Sequence, residues 1–331
     1  MSEQPISHAD SAAAPDDDPK AKDPAAFART VRIRALGGSL PAVVSMGHLL
    51  LSGHGIARDE AGAFRWFRIA ADGSSPDGAN MVGRCYELGL GVARDPGEAA
   101  RWYRQAADRA HDWGMFNLGS LLLAGEGIAA DRPAALSLFV RSARKRNVKA
   151  MNMLGRFREE SWGVRRKDHA ARYWYKRAAR GGCFRGQFHA GRFALMRGAH
   201  DEAERWFARS VEGAPPDYCR DAAAILVAHP DEAVRAIGRR ALVRACESGE
   251  ARDFHALGRM LAAAPAAADR KAALGWLRRA RDAGFDDPED MLGNLLRDRG
   301  FLRGTGIRWR VAALPSRLGA WFSPKRQPRL S

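Results

Sequence analysis

Small and apolar positions return in phase every 36 residues over much of this chain. A glycine recurs at Gly47, Gly83, Gly119, Gly155 and Gly191. Five places earlier stands a small residue (Ala42, Gly78, Gly114, Ala150, Gly186), and just before the glycine an aliphatic (Met46, Val82, Leu118, Leu154). The second copy shows the elements most clearly. Apolar residues at helical spacing run through Tyr86 and Leu88, and Gly89-Leu90-Gly91 then supplies a turn whose glycines accept backbone angles that a β-carbon resists. Asp95-Pro96 opens a second helix with a capping oxygen and a residue that needs no amide partner. That helix places Ala99, Trp102, Tyr103, Ala106 and Ala107 on one stripe. Each unit is predicted to be helix, tight turn, helix.

The other copies follow suit. The turn reads Gly53-His54-Gly55 in the first copy, Gly125-Glu126-Gly127 in the third, and degrades to Ser161-Trp162-Gly163 in the fourth. The second-helix stripe returns as Trp66/Phe67/Ala70/Ala71, Leu138/Phe139/Ser142/Ala143 and Trp174/Tyr175/Ala178/Ala179. The small residues and the glycine let helices approach closely, and the aromatic pair is expected to fill the space between neighbouring units. A fixed period in this range marks a stacked array of supersecondary units.

In these motifs the chain resembles the Sel-one-like repeat family, a relative of the tetratricopeptide repeat. The pattern is small-x-x-x-aliphatic-Gly, then Gly-x-Gly-Val/Ile, then Asp, then Ala-x-x-Trp-Tyr/Phe-x-x-Ala-Ala, and it is clean over residues 41–184. The resemblance implies an all-α, right-handed superhelical solenoid that scaffolds or adapts other proteins. Beyond it the copies are worn. A fifth runs from Phe184 without a Gly-x-Gly turn and reaches Trp206-Phe207 early; a sixth spans 217–249, with Pro230-Asp231 opening its second helix; a seventh carries Leu257-Gly258 and Trp276-Leu277. The expected organisation is an acidic, disordered segment over 1–23, a repeat array over 24–298 (degenerate from 185), and a basic aromatic tail or cap over 299–331. Asp23-Pro24 begins a helix ending at Gly37-Gly38 that reads as a half-repeat cap.

Charge changes the picture more than composition does. The net charge is +16, and from Arg141 to Arg197 seventeen basic residues face only Glu159, Glu160 and Asp168. The tail adds eight more, with Ile307, Val311, Leu314, Leu318 and Trp321 at helical spacing. Such a tail suits a cap on the last unit, an anionic membrane surface or nucleic acid. No secretory signal opens the sequence, and no membrane span is legible, so a cytoplasmic location is expected. Cys85, Cys183, Cys219 and Cys246 show no paired spacing, and Cys85 falls on a core position as a free thiol.

Helical spacing assigns the groove. Positions two before, one after and six before the repeat glycine are expected to face it. They are Ser45, Met81, Asn117, Met153 and His189; His48, Arg84, Ser120, Arg156 and Arg192; and Lys149 and Arg185. The contact candidates are therefore His48, Arg84, Asn117, Lys149, Arg156, Arg185, His189 and Arg192. The structural set is Gly47, Gly83, Gly119, Gly155 and Gly191 with Trp66, Trp102, Trp174, Trp206 and Trp276. A groove that turns basic along its length calls for a protein partner presenting an acidic segment, which arginine can clasp through two hydrogen bonds.

Catalytic patterns are weak. Arg58 and Arg94 stand where a dinucleotide loop needs its third glycine, and Ser142, although three before Lys145, occupies the slot of Ala70, Ala106 and Ala178. No spacing suits a metal, and Glu159-Glu160 reads as a solvated pair at a turn. A non-enzymatic scaffold with no cofactor and no small-molecule substrate is expected. The rival is nucleic-acid or anionic membrane-surface binding through 141–197 and the tail.

Overall fold

A computed structural model describes residues 23–263, 267–286 and 290–293. All regular structure among them is helical, in two compact units that divide between Pro215 and Pro216. The acidic segment before Asp23 and the basic tail lie outside the described residues.

The first unit alternates two kinds of helix. First helices are α2 (Leu40–Ser52), α4 (Pro76–Leu88), α6 (Asp112–Ala124), α8 (Val148–Glu159) and α10 (Phe184–Leu195). Second helices are α3 (Glu60–Asp72), α5 (Pro96–Asp108), α7 (Arg132–Arg144), α9 (Asp168–Arg180) and α11 (His200–Val211). They are preceded by α1 (Pro24–Leu36), a second helix without a first. Each helix packs on its neighbours in sequence, as in a solenoid. The side chains of Asp23, Asp59, Asp95 and Asp131 accept hydrogen bonds from first-turn amides, so one capping residue starts four second helices at the same register.

Two glycine contacts set the spacing. A Cβ on Gly83 or Gly155 would stand 2.7 or 2.5 Å from the ring of Tyr103 or Tyr175, so the repeat glycine lies flat on the aromatic of its own second helix. A Cβ on Gly78, Gly114 or Gly186 would stand 2.6–2.7 Å from Ala70, Ala106 or Ala178 of the preceding unit. Phe67, Tyr103, Phe139 and Tyr175 are inaccessible and sit beneath their own glycines. As expected, they also fill the seam to the next repeat: Phe139 meets Phe157 with ring centres 5.9 Å apart and Tyr175 meets Phe193 at 5.8 Å, beside the glycine-on-alanine contacts. Trp66, Trp102 and Trp174 are only half-buried, and the Arg68 guanidinium of the first repeat lies 4.7 Å over the Trp102 ring of the next. Trp206 is buried.

The four cysteines are buried free thiols, and burial pushes the Cys85 thiol up to about 12. Ser142 is buried too and donates to the Asp112 carbonyl at 2.8 Å, a packing role.

The last turn of the first unit has lost four residues and is held by charge. Glu202 on α11 accepts from Lys176 of α9 at 2.9 Å, from Arg197 at 3.0 Å and from Trp206 Nε1 at 3.3 Å. These donors, Lys176 foremost, hold its carboxyl at about 2 against an ordinary 4.5. Because the folded carboxyl is the stronger acid, its contribution is complete above about pH 4.5 and is lost as pH falls towards 2. Glu202→Gln is therefore expected to flatten the fall of the thermal midpoint across that window. Parallel slopes for variant and wild type would contradict it.

The second unit comprises α12 (Pro216–Leu226), α13 (Glu232–Ala245), a 3-10 turn at Cys246–Ser248, α14 (Ala251–Ala262) and α15 (Ala267–Asp282). Asp231 caps α13, and Leu277 of α15 packs against Gly258 of α14. Trp276 is half-buried, with Arg279 4.8 Å over its ring. Met291 and Leu292 bury themselves with Leu277 and Ala273. No helix among the described residues is long and apolar enough to cross a membrane.

Candidate functional site

The first helices of the first unit form its more closely spaced side. α4 meets α6 and α8 meets α10 directly, to an extent that no two second helices match among the described residues. Their outward register is the position after each repeat glycine. His48, Arg84, Ser120, Arg156 and Arg192 are all half-buried there, as are Lys149 and Arg185 seven places before the last two of them.

These residues do not share one environment. Arg192 is clamped: its Nη2 donates to Glu159 Oε1 at 2.5 Å and Oε2 at 2.7 Å, and lies 3.2 Å from His189 Nδ1. Arg156 donates to Glu160 at 3.1 Å and lies 4.6 Å over the Trp162 ring. Lys149 Nζ stands 5.1 Å over Trp113, and the Arg185 guanidinium 5.7 Å over Phe184. His48 sets its ring edge-on to Phe67 at 5.3 Å, and burial, with Arg84 second, pushes its pKa down. Arg84 makes no hydrogen bond or ion pair among the described residues, and its Nε is buried.

Two contact candidates lie beneath the surface. Asn117 is 5% exposed and donates to Asn80 Oδ1 at 3.0 Å, bonding the second repeat's first helix, α4, to the third's, α6. His189 is 8% exposed and stacks on Tyr175 with ring centres 4.3 Å apart. Burial, then Arg192, Arg156 and Arg185, hold its pKa well below the usual histidine range, so the neutral ring accepts from Arg192 at Nδ1. Met81 and Met153 are buried as well. At Asn117 and His189 the position two before the glycine is covered, because α6 meets α4 and α10 meets α8 directly.

The solvated reading of Glu159-Glu160 holds for exposed Glu160 and is corrected for Glu159. Glu159 takes hydrogen bonds from Tyr175 at 2.8 Å and from Arg192, and Glu160 takes Arg156. Tyr103 pairs with Glu87 in the same way. Burial, reinforced by the carboxylates, raises both phenols well above their ordinary pKa, so each stays protonated and donates. Sequence carries a signal for this pairing. Where the buried aromatic is Tyr103 or Tyr175, the residue four after the repeat glycine is Glu87 or Glu159. Where it is Phe67, Phe139 or Phe207, that residue is Leu51, Leu123 or Leu195. A buried hydroxyl must find a partner, and a phenyl ring must not meet a carboxylate.

The excess positive charge is not concentrated on the first helices. Arg141, Arg144, Lys145, Arg146, Arg165, Arg166, Lys167, Arg172, Arg177 and Arg180 are exposed, and all belong to second helices or turns. Among the described residues no three His, Cys, Asp or Glu side chains converge as a metal would require. A cavity of about 260 Å³ in the second unit is lined by His255, Phe285, Arg281 and Asp290, with His255 stacked on Phe285 at 4.2 Å. It contains no pairing of a nucleophile with a base.

The family model of the Sel1 repeat matches residues 41–75, 76–111, 114–147, 148–183 and 256–285. Among solved structures, the chain is similar to a protective antigen of uropathogenic Escherichia coli with an SLR fold. That match has 25% identity and a TM-score of 0.53, and covers 82% of this chain and 60% of the antigen. The chain thus spans less than two thirds of that relative. It also resembles a Sel1 repeat protein from Oxalobacter formigenes, at 24% identity and TM-score 0.54, over 61% of this chain and 88% of the other. No curated protein matches the chain significantly.

Proposed function

The chain belongs to the Sel1 repeat family, and from that premise we propose that it is a non-enzymatic scaffold that binds another protein on the first-helix face of its first unit. One observation carries the reading: half-buried His48, Arg84, Arg156 and Arg192 recur at a fixed register on the first helices, of which α8 and α10 meet directly. A stack of this kind is preorganised, so an extended or helical acidic segment docks without ordering the receptor. The chemistry available is hydrogen bonding and charge pairing. Lys149 and Arg185 extend the face by cations lying over aromatic rings.

Affinity purification of the full chain, with nuclease and moderate salt, is expected to retain a protein in stoichiometric amount. Lys149→Glu with Arg185→Glu is expected to release it, and Arg172→Glu on the second-helix side to leave it bound. If the pattern is reversed, the binding face lies elsewhere.

A second reading has its own observation, the ten exposed cations on second helices and turns between Arg141 and Arg180. Nucleic acid or an anionic membrane surface would engage these, with the basic tail contributing. Binding there falls steeply with salt and is little sensitive to sequence. Retention that nuclease abolishes would favour it over the scaffold.

A further inference from the structure

The groove holds three arginines in the position after the repeat glycine, and the chain supplies a carboxylate to two of them. Arg192 takes Glu159, which stands 33 residues earlier on the preceding first helix. Arg156 takes Glu160, four residues later on its own helix. For Arg84 those same two positions are Leu51 and Leu88. Its Nε is buried without a partner, and its half-buried guanidinium forms no ion pair among the described residues. An unpartnered buried donor on a charged group is costly to keep, whereas a clasped carboxylate is among the stronger polar contacts.

We propose that Arg84 is the anchor of the binding face, and that it takes a carboxylate of the docked acidic segment into the place that Glu159 fills for Arg192. This rests on the scaffold reading and narrows it to one contact. His48, one repeat earlier at the same register, flanks the site, with its ring settled edge-on against Phe67. Glu87 makes no hydrogen bond or ion pair to Arg84, and its Oε2 accepts from the Tyr103 hydroxyl. Burial lowers the Arg84 pKa and raises that of Glu87, and the charge of each opposes the other's shift with no hydrogen bond or ion pair between them.

The test writes the missing carboxylate into the chain. Binding of a dye-labelled polyglutamate peptide to the full-length protein is followed by fluorescence anisotropy. Arg84→Met is expected to weaken binding about tenfold or more, the value of one hydrogen-bonded charge. Leu51→Glu, which restores the 33-residue pairing, is expected to weaken it as much while leaving Arg84 in place. Leu51→Glu with Phe67→Tyr reproduces the Glu-Tyr pairing of the second repeat and serves if the single variant folds poorly. Arg177→Glu, on an exposed second-helix site, is expected to leave binding unchanged. In ¹⁵N spectra the Arg84 Nε–H resonance is expected to move when the peptide is added. Absence of polyglutamate binding, indifference to Arg84→Met and Leu51→Glu, or an equal loss in Arg177→Glu would each overturn the anchor. The anchor and the scaffold fail separately. A captured protein that is released by Lys149→Glu with Arg185→Glu but indifferent to Arg84→Met overturns the anchor and leaves the face standing. Polyglutamate bound at Arg84 with no protein captured on the face supports the anchor and overturns the scaffold.

Discussion

Gly91→Ala is expected to destabilise the first unit by about 3–5 kcal/mol, while Gly163→Ala at the matching turn costs only about 1–2 kcal/mol. Both glycines are left-handed, at φ +67° and +72°, so both variants incur the strain of placing a β-carbon there. They differ in what the new carbon meets. At Gly91 it would overlap the Glu60 carbonyl and come within 2.6 Å of the Ala61 amide nitrogen, the first turn of the preceding second helix. At Gly163 nothing stands within 4 Å. Backbone cannot step aside as a flexible side chain can, so Gly91→Ala must separate two units or unwind the start of α3. In a stacked array that loss falls on a nearest-neighbour interface. Urea titrations followed by circular dichroism at 222 nm would measure it, and equal costs for the two variants would show that the turn itself, rather than its contact with the neighbouring unit, sets the requirement for glycine.

The same contrast explains what could be read along the chain. The helix boundaries were legible because each device sits at a fixed phase: Asp95 caps α5 as Asp59 caps α3 and Asp131 caps α7, and glycines end α2, α4 and α6 in the left-handed region. The register of Arg84, Arg156 and Arg192 was legible for the same reason. The Glu159 partner of Arg192 was not, because helical spacing within one repeat does not say what the neighbouring repeat brings alongside. Asn117 and His189 share a phase with Ser45, whose hydroxyl simply bonds back to the Pro41 carbonyl at 2.9 Å. What buries them is the neighbouring first helix. In the second unit the limit is sharper still. Arg220 clasps the buried Asp253 with two bonds of 2.6 Å, and Ser248 and Glu250 gather round, tying α12 to the start of α14. Among the described residues no second copy of that clasp reveals it by repetition.

Glu159→Leu is expected to cost about 3–5 kcal/mol, the usual penalty for removing one partner of a mostly buried ion pair. The Arg192 and Glu159 side chains are only 19% and 16% exposed, and the variant strands both the guanidinium and the Tyr175 hydroxyl. The chain itself contains the remedy. Leu123 with Phe139 occupies in the third repeat the positions of Glu159 with Tyr175 in the fourth, and Phe139 is completely buried. Adding Tyr175→Phe and Arg192→Met to Glu159→Leu removes the stranded groups together, so the triple variant is expected to recover about 2 kcal/mol relative to the single one. Recovery on adding two further substitutions is what a coupled polar unit produces. If the triple variant is instead less stable than Glu159→Leu alone, the three side chains contribute independently, and the Tyr-Glu and Phe-Leu alternation is not a matter of mutual satisfaction. The expected outcome also bears on the groove. A carboxylate that matters this much to Arg192 measures what Arg84, lacking one, has to offer a partner that brings it.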